Sequence, residues 1–283
     1  MKTPHRLFSH HLGARFMTVV MAGAFFAPCY LLAAPTNPVS KLYVSDLKGE
    51  ADLNTADTIT ALTKKTVFNA EGTTVLTAKN STDAMVYSNG TGIYLDPDTR
   101  LNVKKFVQEP FTPNRYDLDM EPSVSQTQAS VSHGLVGLCT SKLSAGSSMV
   151  YNTPQAKLSI RGKKLVVEVN NYETRVSVLE GDVTVQSSDS DAGQVLHGGQ
   201  EAIVRSDAAN HTSSIVHVGQ IPDDRKQFLD DRASMACIAK KTVYFEVVDK
   251  NIDGNPTQEI QAAEVVPTNK PTDFTVSPSQ LPQ

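Results

Sequence analysis

Between Lys41 and about Ser206 the apolar positions of this chain recur with a period of two rather than 3.6. The runs TVLTAKN, AMVYSNG, GIYLDP, RLNVKKF, KLSIRG, KLVVEVNN, TRVSVLEGDVTVQ and EAIVRS are short, and rich in β-branched or aliphatic residues. Asn-Gly, Asp-Pro, Glu-Gly-Asp and Gly-Gly separate them, supplying the positive or fixed φ that tight turns need. Evenly spaced short strands of this kind predict a mostly β fold, a sandwich- or solenoid-like array. Residues 82–103 and 154–178 each read strand, Gly turn, strand, turn, strand, which is a weak internal repeat. Between them, EPFTPNRYDLDMEPSVSQTQ is polar and Pro-punctuated, and reads as a long connection with an edge strand. There Asp117, Asp119 and Glu121 alternate on one face and read as a solvated edge.

The period changes after about Gly219. IPDDRKQFLDDRASMACIAKKT places Asp223 and Asp224 at its start and Lys240 and Lys241 at its end, the order that complements a helix dipole. Phe228, Leu229, Ala233, Ala236 and Ile238 are the expected apolar face. A strand, TVYFEVVD, follows. From about Asn251 the chain is rich in Pro, Gln and Thr and predicts a partly disordered tail.

The N-terminus alters the picture of where this fold works. Lys2, Arg6 and Arg15 precede or flank the apolar run from Phe16 to Ala34, which ends in small residues before PTNP. A charged region, an apolar region and a small-residue end predict an export signal over residues 1–34, the competing reading being a membrane span. With Pro28 directly before Cys29 and apolar residues after it, a lipoprotein signal is disfavoured. Removing the segment takes away three cations and no acids, moving the formal charge from −4 to −7. An acidic chain without Trp has little with which to neutralise phosphates or stack bases, so no nucleic-acid partner is expected. The expected location is periplasmic or extracellular, with no stable membrane span once the signal is gone.

Two cysteines remain, Cys139 and Cys237. They are candidates for a disulfide in an oxidising compartment, or for two buried thiols. His133, His197, His211 and His217 sit in no recognisable catalytic motif, and no GxSxG, HExxH or phosphate loop occurs, so no catalytic residues and no cofactor are expected. Asp249, Asn251 and Asp253, with Gly254, occupy the first, third, fifth and sixth places of a calcium loop, but the twelfth is Ile260 rather than a bidentate Glu. An Asp-Gly turn accounts for the same residues. The sequons at Asn80, Asn89 and Asn210 read as surface turns.

The stretch SNGTGIYLDPDTRLNVKKFVQEPF, then residues 121–169, then VLEGDVTV and HGGQEAIV, together resemble the FecR-like domain of exported bacterial proteins. In that family an SNG hairpin precedes a P-x-T turn, and TP-x-A-x-x-x-I-R-G-T, EG-x-V and G-x-Q follow in order. The resemblance runs from about Thr66 to Arg205, and this chain has Ile160-Arg161-Gly162-Lys163-Lys164 where the family has a Thr after the Gly. It implies a non-enzymatic envelope module of β structure. The best-known members relay receptor occupancy to a sigma factor. Here only some sixteen residues precede the apolar run, too few for a cytosolic domain, so that role is not expected to transfer.

The expected organisation is thus an export signal at 1–34, a FecR-like β domain at 35–219 with its motif core at 66–205, a helix and strand at 220–250, and a tail at 251–283. The expected function is binding or interaction in the cell envelope, with an unknown protein or polysaccharide as partner. The alternatives are a calcium-dependent adhesion or matrix protein and an envelope signal transducer. An envelope hydrolase would need a catalytic constellation that the chain does not display.

Overall fold

A computed structural model describes residues 39–112, 118–190, 192–207, 212–252 and 255–265, without the side chains of 251–257. The export-signal segment 1–34, Asp117, Asp253, His211, Asn210 and the tail beyond Val265 lie outside the described residues.

Among the described residues, seventeen strands form one continuous sheet that folds into two stacked layers. In chain order, β1 (Lys41–Lys48) lies in one layer and β2 (Ala51–Asn54) and β3 (Ile59–Ala61) in the other. β4 (Val67–Asn69) returns to the first and β5 (Thr73–Thr77) to the second; β6 (Thr82–Tyr87) and β7 (Gly92–Leu95) pair in the first, and β8 (Arg100–Gln108) lies in the second. After the long strand β9 (Ser125–Cys139), hairpins alternate. β10 (Ser148–Asn152) and β11 (Ala156–Ile160) lie in the second layer, and β12 (Lys164–Val169) and β13 (Glu173–Glu180) in the first. Then β14 (Asp182–Ser187) and β15 (Gly193–His197) join the second, and β16 (Gln200–Asp207) and β17 (Thr212–Gln220) the first. The fold is mostly β and its layers are not closed.

Strand β9 belongs to both layers. Residues 125–133 pair with β8 and, in parallel, residues 126–130 with β10, whereas residues 134–139 pair with β12 and residues 136–139 with β7. The bend falls at Gly134, whose φ is +95° and whose α-carbon is so close to Thr99 that a Cβ would overlap it. Thr99 fixes the bend: its hydroxyl accepts the Leu135 N–H at 3.0 Å, while its own N–H donates to Thr77 Oγ1 at 3.0 Å. The P-x-T turn therefore pins the place where the sheet changes layer. The expected repeat is only partial, because β6 and β7 pair as a hairpin while β11 and β12 lie in different layers.

Period-two alternation sends one face of every long strand into the space between the layers. Val44, Met85, Tyr87, Leu138 and Val167 from the first layer meet Val75, Leu101, Phe106, Tyr151 and Leu158 from the second. The Tyr87 and Phe106 rings meet edge to face with centroids 4.8 Å apart.

The other face of the first layer is covered by helix α1 (Asp223–Lys240) and by the hairpin of β18 (Val243–Ile252) and β19 (Asn255–Glu264). The helix starts after Pro222 with Asp223 and Asp224 in its first turn and ends with Lys240 in its last. Its buried face is Leu229, Ala233, Ala236, Ala239 and Lys240; Phe228 and Ile238, expected to be inward, are 38% and 58% exposed. Phe228 instead lies under the Arg232 guanidinium, 4.2 Å from the ring centre. The buried alanines have a reason in the sheet below. A Cβ on Gly92 would stand 2.0 Å from the Ala236 carbonyl oxygen, and one on Gly137 2.7 Å from that of Arg232. Only glycine lets the helix backbone lie this close. Strand β19 also carries ordered structure beyond Asn251, further than the composition predicted, because Ile260 is buried against the helix and first-layer residues.

Candidate functional site

Four segments converge at one end of the covered layer: the β6–β7 turn, the end of β9, the turn entering β12 and the C-terminus of α1. Asn89 in the first of these is fully buried, and Gly90 takes φ +85°. The Asn89 amide donates to Ser125 Oγ at 3.0 Å and to Glu121 Oε1 at 3.3 Å. Glu121, expected on a solvated edge, is 4% exposed. Its carboxylate also accepts from Ser125 Oγ, from the Ser144 N–H at 2.8 Å and from Ser147 Oγ at 2.6 Å. A buried carboxylate is tolerated here because it is surrounded by donors. This shell ties 118–122 to 141–147, as do the Lys142 N–H to the Asp119 carbonyl at 2.8 Å and Ser141 Oγ to the Leu118 carbonyl at 3.0 Å.

Two cavities adjoin this segment. The first, about 260 Å³, is walled by Phe111, Leu118, Met120, Val243 and Phe245, with Ser88 and Gly90 of the hairpin turn and the polar groups Glu121 and Lys240. Lys240 has a side chain only 4% exposed, and its ammonium lies 3.4 Å from Asp119 Oδ1. Burial holds its pKa below the ordinary lysine value; Asp119 opposes that shift, while Lys163 and Lys241 reinforce it. The second cavity, about 450 Å³, shares Met120 with the first and is lined by Asp119, Lys142, Arg161, Gly162, Lys163 and Glu180. Lys163 pairs with Glu180 at 3.2 Å. Lys142 and Arg161 are exposed and make no ion pair among the described residues.

Cys139 and Cys237 form a disulfide, with α-carbons 5.0 Å apart and a sequence separation of 98, joining the end of β9 to the last turns of α1. The departure at Lys163-Lys164 is structurally occupied: Lys163 N–H donates to the Glu180 carbonyl at 2.8 Å, and Lys164 Nζ bridges Asp230 and Ser234 on the helix. Asp249 and Asn251 stand on the β18 ladder, opposite Gln258 and Pro256, and Asp249 accepts from the Gln258 amide at 3.2 Å. They do not curve round a loop, and Asp253 lies outside the described residues. Among the described residues no group of three or more His, Cys, Asp or Glu could hold a metal ion. His133 and His197 each meet one surface carboxylate, Asp98 and Asp182, and neither lines either of these two cavities. The sequons at Asn80 and Asn89 differ: Asn80 is exposed at φ +63°, whereas Asn89 is buried.

Glu121 is saturated with donors and holds the segment that divides the cavities, while Met120 and Lys240 supply an apolar wall and a shielded cation.

A two-layer β domain bent through one shared strand and backed by a helix is the structural class. Residues 73–184, which run from β5 into β14 and contain that shared strand, match the family described as FecR protein, so the chain carries a FecR-like domain. The match is narrower than the stretch 66–205 and leaves out α1 and the β18–β19 hairpin. No curated protein matches the chain. Two crystal structures of a candidate anti-sigma factor from Parabacteroides distasonis align with it at TM-score 0.40 and 16% identity, over 55% of this chain and 62% of theirs. The chain thus spans less than two thirds of that protein.

Proposed function

We propose that this chain is a non-enzymatic, FecR-like binding module of the bacterial cell envelope that engages a protein partner in a regulatory role. The single observation that carries the reading is the pair of adjoining cavities at the end of the covered layer, built by the SNG turn, the Glu121 segment and the helix C-terminus. The FecR-like match supports it, because that turn and β9 both fall within residues 73–184. Export to the periplasm or cell exterior belongs to the same proposal and rests on the apolar run ending at Ala34; no helix among the described residues is long and apolar enough to cross a membrane.

The test is site-specific photo-crosslinking in intact cells, with the reactive residue at Tyr244, beside the first cavity, or at Lys157, on the opposite layer. A discrete adduct from position 244 and none from 157 is the expected result. No adduct at 244, or the same adducts from both positions, refutes the reading.

A further inference from the structure

We infer that the two cavities together accept an acidic peptide segment of the partner that carries an apolar side chain beside its carboxylates. This rests on the reading of the chain as a protein-binding module and names the chemistry of what it binds. The chain is acidic, yet Lys142, Arg161, Lys163 and Lys240 gather around cavities whose acids among the described residues are Asp119, Glu121 and Glu180. Of those acids, Glu121 is enclosed by its own donors and Glu180 is taken up by Lys163. Two cations, Lys142 and Arg161, are left facing solvent without an ion pair among the described residues. Such an excess of positive charge on an acidic protein is complementary to a carboxylate-rich ligand and would repel a basic one.

The first cavity adds the second half of the specificity. Phe111, Met120 and Phe245 make an apolar wall, and its volume of about 260 Å³ suits one side chain, not a whole folded surface. Met120 is 44% exposed and lines both cavities, so an apolar side chain resting on it lies next to the basic cleft. Lys240 stands inside the apolar wall with its ammonium against Asp119, where an incoming carboxylate meets a cation already stripped of most of its water. Peptide carboxylates and an adjacent side chain satisfy both cavities; a phosphate or a lipid headgroup satisfies only the basic one.

Fluorescence anisotropy with the full chain and three labelled peptides tests this: Asp-Glu-Phe-Glu-Asp, Asp-Glu-Ser-Glu-Asp and Lys-Lys-Phe-Lys-Lys. The first is expected to bind at least about tenfold more tightly than either of the others. Lys142→Glu with Arg161→Glu is expected to weaken it by about tenfold or more at low salt, with an unchanged thermal midpoint because both side chains are exposed. Met120→Asp is expected to abolish the preference for Phe over Ser. Equal binding of the acidic and basic peptides, or no effect of the double charge reversal, overturns the inference. So does binding of inorganic polyphosphate or phosphatidylglycerol vesicles that matches the Phe peptide and is indifferent to Met120→Asp, which would mark a general anion surface. If the Tyr244 crosslink persists while the peptides fail, the inference alone falls; if the crosslink is absent, the underlying reading falls with it.

Discussion

Asp83 lies on β6 between Leu47 and Leu95 of its neighbours, and its parity with Met85 and Tyr87 turns it toward the space between the layers. It is 1% exposed, and neither carboxyl oxygen has a hydrogen-bond partner within ordinary geometry. Burial pushes its pKa from the ordinary 3.8 to about 7; the Ala84 N–H opposes the rise, and Asp46 adds to it. The sign follows from proton counting. Between pH 4 and 7 the folded state keeps a proton that the unfolded chain has lost, so this group's contribution makes stability fall as pH rises, levelling off above pH 7. At roughly 1.4 kcal/mol per pH unit, the gap between the two values is worth about 4 kcal/mol. Asp83→Asn keeps the shape and removes the ionisation. The chain has no Trp, so urea unfolding is followed by circular dichroism at pH 4, 5.5, 7 and 8. Asp83→Asn is expected to gain about 4 kcal/mol on the native chain between pH 4 and 8, whatever its standing at pH 4. Subtracting the two curves cancels other titrations, including that of Glu173, which Arg205 and Arg175 hold below the usual carboxylate range and which acts in the opposite direction. A difference that stays flat from pH 4 to 8 refutes the reasoning, since Asp83 would then ionise alike folded and unfolded.

Three further outcomes follow from the helix and its attachment. Cys237→Ser is expected to lower stability in urea by about 4 kcal/mol, the chain-entropy value for a closed loop of roughly a hundred residues, and an unchanged midpoint would show that packing alone holds the helix. Gly92→Ala is expected to cost about 2–3 kcal/mol by pressing on the Ala236 carbonyl, against about 1 kcal/mol for Gly72→Ala, where φ is +77° but nothing stands near; equal thermal shifts would sink the close-approach argument. Relative to Lys240→Met, the native chain is expected to gain stability as pH rises toward the ordinary lysine value of 10.5, because the folded state sheds the Lys240 proton first, while Tyr43, Tyr87 and Tyr151, whose pKa values burial raises, act in the opposite direction in both proteins; a difference between the two that stays flat over pH 8 to 10.5 would contradict that assignment.

What could be read from the chain was whatever local geometry dictates. Asn89-Gly90 and Gly181 need positive φ or a short polar side chain where they stand, so the hairpins showed in the sequence. Period-two alternation likewise marked the strands whose inward residues fill the space between layers. The helix showed through its end charges, but its buried face did not. Hydrophobicity favoured Phe228 and Ile238, whereas glycines at 92 and 137, more than eighty residues earlier, select small alanines on the face that reaches the sheet. The burial of Glu121 was hidden for the same reason: its donors come from Asn89, Ser125, Ser144 and Ser147, and alternation around Asp117, Asp119 and Glu121 reports nothing about them.

The placing of the cavities has a common origin in β9. Because this strand bends at Gly134 and continues into the covered layer, its end at Cys139 sits between Gly92 of β7 and Lys164 of β12. That juxtaposition brings the SNG turn and the Arg161–Lys163 turn to one edge, and the Cys139–Cys237 disulfide brings the last turns of α1 to the same edge. The residues that make the family resemblance legible are thus turn residues with structural roles of their own. They also form the rim on which Lys240, Met120 and the basic cleft stand. The SNG turn carries no reactive group, yet Asn89 holds Glu121, and Glu121 holds the segment that separates the apolar cavity from the basic one. Scaffold and cavity wall are here the same residues: one face of the turn fixes strand register, and the other lines the first cavity.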